Sequence, residues 1–119
     1  MTSPQAVSLS PFAFRLAAAL ERYQADFDQL VESWFDWNRC RIVAGELQDI
    51  EKLRGALPQL AADMMDLVMR HVELLRWLVR MATSAEQGAA GEIRALHNRH
   101  RAAIESLRNK CLRLLTRDR

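Results

Sequence analysis

From Ser10 to Trp37 the apolar residues Ala13, Leu16, Leu20, Tyr23, Phe27, Leu30, Trp34 and Trp37 recur at alternating spacings of three and four. That spacing draws one stripe along a long α-helix and carries most of the aromatic surface of the chain. Ser10 followed by Pro11 is a good helix start, because the hydroxyl can accept from a free amide and Pro gives up a donor that had no partner. Residues 1–9 show no periodicity and are expected to be a disordered tail, with the helical domain over residues 10–119. After Trp37 the stripe slips onto Cys40, Val43, Leu47, Ile50, Leu53 and Leu57. Such a slip marks either a continuous helix locally overwound or a change of partner. Gly45 can close a helix in the left-handed conformation, so a break is expected at Ala44-Gly45, with a break near Asn38 as the alternative.

A shorter helix is then expected from Glu46 to Ala56. Pro58 pushes Leu57 out of helical geometry and can open the next helix, which runs from Gln59 to Ala82 on Leu60, Met64, Leu67, Val68, His71, Leu74, Leu75, Leu78 and Met81. Thr83 to Gly91, with Gly88 and Gly91 among small residues, reads as a turn. A fourth helix follows from Glu92 to Thr116, with Ile93, His97, His100, Ile104, Leu107, Cys111 and Leu114 on its seam. The short turn makes the last two helices antiparallel neighbours. The fold class expected is all-α, an antiparallel bundle of about four helices whose first helix is long, and the chain can form a homodimer through that helix.

At 119 residues the chain can bury a core without disulfides or metal. Cys40 and Cys111 stand far apart without a CxxC spacing, which fits free thiols and a cytoplasmic setting. Neither a signal-peptide pattern nor an apolar run long enough to cross a membrane is seen. Net charge is +2, yet residues 94–119 carry +6 and the first 93 carry −4. The basic face Arg94, Arg101, Arg108 and Arg113 could meet phosphates. The acidic first helix is a competing intramolecular partner for it. With no helix-turn-helix or zinc-finger spacing to read bases, nucleic acid is the weaker reading.

Two further clusters bear on function. His71, His97 and His100 all fall on seams, and the expected turn brings His71 level with about position 103, within one turn of His100. Three imidazoles with an open fourth position suit zinc. The plainer reading is core histidines bonded to their neighbours, since no Glu-x-x-His pair accompanies them. Cys111 lies too far along the helix to join them. The second cluster is apolar. Phe35 points to one side of the seam, as does one of the early phenylalanines, taken as Phe12. With Val31, Ile42 and the neighbouring Trp34 they make a candidate strip for a protein partner, the alternative being a wide stripe covered by two helices. There is no nucleophile elbow, no glycine-rich phosphate loop and no carboxylate pair on a seam, so neither catalysis nor a cofactor is expected.

The run Val43-Ala-Gly-Glu-Leu-Gln-Asp-Ile-Glu-Lys-Leu53 resembles a pattern in the small flagellar type III export chaperones, where a long first helix ends at a Gly-acidic turn before a second amphipathic helix. That resemblance implies binding the terminal helix of an export substrate in an apolar groove. The Trp34-x-x-Trp37-Asn-Arg stretch is similar, more loosely, to phasins, which implies adsorption to a polyester granule surface.

Overall fold

The computed structural model describes residues 4–33, 35–83 and 89–117. Among them are four helices and no strand: α1 (Pro4–Glu32), α2 (Trp37–Glu51), α3 (Ala61–Thr83), entered through a single 3-10 turn at Pro58–Leu60, and α4 (Ala89–Arg117). The protein is all-α, and α2 is its shortest helix, with 15 residues.

The first stripe behaves as its spacing requires over most of its length. Ala13, Leu16, Leu20, Tyr23, Phe27 and Leu30 are all at most 1% exposed. The helix that carries them differs at both ends from the expected one. It begins at Pro4, ahead of Ser10, so Pro11 sits inside it rather than at its first turn. It stops at Glu32, short of both Trp37 and Gly45. The reason is Asp36, whose extended backbone (φ −139°, ψ 120°) and carboxylate oxygen, accepting from the Asn38 amide at 2.9 Å, start α2 afresh. The alternative break near Asn38 is therefore the correct one, and the slip in the stripe was its trace. Trp37 belongs to the phase of α2 and is 58% exposed, not part of the core as its place on the first stripe implied. Trp34 lies outside the described residues.

Gly45 ends nothing. It sits in the middle of α2, and a Cβ there would meet no atom within 4 Å. The boundary at Pro58 stands as expected: Leu57 leaves helical geometry (φ −128°, ψ 64°) and Pro58 opens the 3-10 turn that leads into α3. The expected turn between α3 and α4 falls largely on residues 84–88, outside those described.

Cross-helix bonds fix the directions. Asp28 meets His97 while Tyr23 meets His100, so α1 and α4 are antiparallel. Asp63 takes Lys110 at 2.8 Å while His71 lies level with His100, so α3 and α4 are antiparallel too. Arg39 bonds Gln29 at the start of α2, which then runs back along α1. The bundle measures 63 × 24 × 18 Å, drawn out by the long α1–α4 pair. Helix α2 packs on α1 and touches α3 at few points.

Candidate functional site

Because α1 and α3 run parallel, their C-terminal turns arrive at the same end of the bundle. Leu30 and Val31 from α1, Phe35 from the connector, Trp37 from α2 and Leu78, Met81, Ala82 and Thr83 from α3 enclose a cleft of about 500 Å³. The Asp36 cap shapes one wall. By turning the chain sharply it sets the Phe35 and Trp37 rings edge to face, 4.9 Å apart at 90°. Val31 and Phe35 are half-buried, while Trp37 and Met81 keep 58% and 47% of their surface in solvent. Aromatic and thioether side chains offered together at an open cleft are the composition of partner surfaces, because rings bury much area with few torsions to lose and a flexible thioether adapts to an irregular partner.

Only part of the strip expected from the sequence gathers here. Phe12 is packed near the other end of α1, with the Arg15 guanidinium 5.9 Å from its ring centroid. Ile42 is 54% exposed but lines a separate polar recess with Asp26, Gln29, Asp36 and Arg39. The new phase set by Asp36 turns Ile42 away from Phe35. Sequence reasoning missed Met81 as an exposed residue, having placed it on the seam. It also missed the outward row Met65, Met69 and Val72 on α3, each about half exposed.

The histidines form a different structure, at mid-bundle. The Tyr23 hydroxyl lies 2.7 Å from His71 Nδ1 and 2.8 Å from His100 Nε2, tying α1, α3 and α4 together. Phe27 closes the layer, its ring centroid 4.2 Å from that of His100 and 5.2 Å from that of His71. Tyr23 and His100 are fully buried and His71 nearly so. A phenol can donate once, and His100 Nδ1 is buried without a partner. The tautomers that leave only a bare lone pair there have His100 Nε2–H donating to the phenol oxygen. The phenol then donates to His71 Nδ1, and His71 carries its own hydrogen on Nε2. Burial holds both imidazoles neutral, His71 down to about 4 and His100 to about 3, the latter pushed further by His71 and His97. Burial and the nearby Glu46 carboxylate raise the Tyr23 phenol well above its usual range.

His97 does not join that layer. It turns to the flank of α4, where its Nε2 lies 2.8 Å from Asp28 of α1. His71 and His100 are brought together and His97 is not, and among the described residues no three His, Cys, Asp or Glu side chains are placed to hold a metal. On the other flank, Glu46 of α2 meets Asp26 of α1. Burial first, then the shared hydrogen bond and the charge of Asp26, raise the Glu46 carboxyl to about 7. Both thiols are buried and free; burial raises Cys111 to about 11 and, with Asp36 nearby, raises Cys40.

Of the basic face, Arg94, Arg101 and Arg113 are exposed and Arg108 half-buried. Seven-residue steps put Arg94, Arg101 and Arg108 in one row, from which Arg113 departs. Among the described residues none of the four makes an ion pair, so α1 does not neutralise them as the charge split suggested. No helix among the described residues is long and apolar enough to cross a membrane. No family model, curated protein or solved structure matches the chain. The site and its chemistry therefore carry the functional argument.

Proposed function

We propose that the protein is a non-enzymatic interaction module that takes an amphipathic helix of a partner protein into the end cleft, in the manner of a small bacterial secretion-type chaperone or adaptor. One observation carries this reading: Val31 and Phe35 stay half-buried and, with the exposed Trp37 and Met81, line an open apolar cleft of about 500 Å³. Two or three apolar side chains from one face of a helix, at spacings of three and four, fill a cleft of that size. The mid-bundle imidazoles offer no competing site, because Tyr23 occupies the space between them.

The test is a photo-crosslinking residue placed at Trp37 in the native host. A discrete adduct is expected at that position, absent when the probe replaces exposed Gln59, in the 3-10 turn at the far end of the bundle, and lost when Phe35→Asp is added. Equal labelling from both positions, or an adduct indifferent to Phe35→Asp, would contradict the reading.

A further inference from the structure

The opposite side of the bundle carries a second surface. On α1, Phe14, Glu21 and Glu32 fall in one row, since steps of seven and eleven residues return to the same face of a helix. Asp28 lies one heptad from Glu21 and touches His97 of α4, which places that row on the outer edge of the α1–α4 seam. On α4, Arg101 is four residues beyond His97 and Arg94 three before it, so Arg94, Arg101 and Arg108 flank the same seam from the other helix. Glu21, Glu32 and these three arginines make no ion pair among the described residues, and Phe14 and Leu112 are 68% and 50% exposed. An acidic row and a basic row thus lie side by side, each unspent.

The register makes them complementary to a second copy. Asp28 opposite His97 and Tyr23 opposite His100 set the levels of the antiparallel pair. At that register Glu32 is level with Arg94, Glu21 stands between Arg101 and Arg108, and Phe14 is level with Leu112. A twofold axis parallel to the helices keeps every level while laying α1 of one copy over α4 of the other. Each free glutamate then faces arginines of its partner, and the two Phe14–Leu112 contacts sit side by side across the axis at one end of the pair. Glu105 is the one acid within the basic row, and it sits between Arg101 and Arg108. The area suffices: two 29-residue helices, each about 43 Å long and about 10 Å across, present a face about 20 Å wide, near the roughly 800 Å² per partner of a standard interface.

We propose that the outer α1–α4 face joins two copies of this chain in a parallel twofold pair, with the unpaired arginines of each α4 set against the free glutamates of the partner's α1. The face points outward from the α1–α4 seam and meets the cleft end only at Glu32, so the pair presents two clefts. A face of charged rows with two apolar anchors gives an interface that weakens with salt.

Light-scattering mass tests this directly. The wild type is expected to be dimeric at tens of micromolar in about 50 mM salt, and at least tenfold weaker in association at about 500 mM. A chain carrying Arg94→Glu with Arg101→Glu opposes like charges across the axis, as does a chain carrying Glu21→Arg with Glu32→Arg. Each alone is expected to be monomeric, and an equimolar mixture to form a heterodimer, with circular dichroism showing that both variants keep their helices. A monomeric wild type at low salt would overturn the proposal, as would a mixture that stays monomeric. A wild type that remains monomeric and instead binds duplex DNA with steeply salt-dependent affinity would give the basic row to phosphates instead.

Discussion

Tyr23 with Phe27 and Phe35 with Trp37 are two aromatic pairs on consecutive stretches of the chain, and the bundle treats them in opposite ways. The first pair is covered from α3 and α4 and linked through its hydroxyl to two imidazoles. The second, beyond the end of α1, is covered on one side only, and its rings wall an open cleft. The contrast separates two uses of aromatic surface: one pair ties three helices together, and the other stands open at the end of the bundle, where the proposed function places a partner. A polar layer inside an apolar core fixes register because any slip leaves buried donors and acceptors unmet. Exposed rings at a helix junction align nothing and cost little to alter.

Substitutions should break the contrast unequally. Tyr23→Phe keeps the ring and removes the hydroxyl that holds both imidazoles, so unfolding free energy should fall by about 2–3 kcal/mol in a urea titration. Phe35→Ala, at a half-exposed position, should cost about 1 kcal/mol or less, and Trp37→Ser should stay within about 0.5 kcal/mol of the wild type. A Tyr23→Phe variant as stable as the wild type would show that the layer specifies nothing.

Acidity sharpens the same comparison. The unfolded chain protonates His71 and His100 near 6.5, whereas the folded chain resists until about 4 and about 3, so stability should fall as pH drops below 6.5. Glu46 acts in the other direction. Its folded carboxyl holds a proton up to about 7 against 4.5 when unfolded, so its contribution is complete below about 4.5 and is lost as pH rises towards 7. Glu46→Gln should remove the loss on the alkaline side, raising the melting temperature at pH 8 and not at pH 4.5. Identical melting curves at pH 8 would show that the Asp26–Glu46 contact does not strain the α1–α2 joint. The smallest effect is expected at Gly45, where a methyl group meets open space in a helix interior: Gly45→Ala should stabilise by about 0.5–1 kcal/mol.

Much of this was legible in residue spacing, and the reasons for the rest are local. The buried stripe from Ala13 to Leu30 and the second set from Cys40 to Leu57 follow directly from period. The break between them was visible as a phase slip, but attention to glycine hid the Asp36 cap, which ends α1 without any special backbone freedom. With the cap misplaced, Trp37 read as core and Ile42 as a neighbour of Phe35, though a helix begun at Trp37 sends the two apart. The near-level placement of His71 and His100 followed from the length of one turn. That Tyr23 lies between them did not, because the register of α1 against α3 and α4 depends on packing across helices far apart in sequence. His97, one helical step of three from His100, shares its side of α4, and only the position of Asp28 on α1 shows that its ring turns to the flank.

The central claim, an open end beside a sealed middle with the open end kept for a partner, can be read at two methionines of α3. Met81 in the cleft and Met69 outside it are 47% and 56% exposed, so Met81→Cys and Met69→Cys should react with a thiol reagent at similar rates in purified protein. The native Cys40 and Cys111 are buried and should stay silent. In the native host the account predicts that Met81→Cys becomes several-fold slower while Met69→Cys does not. Equal rates for the two cysteines in the host would contradict it.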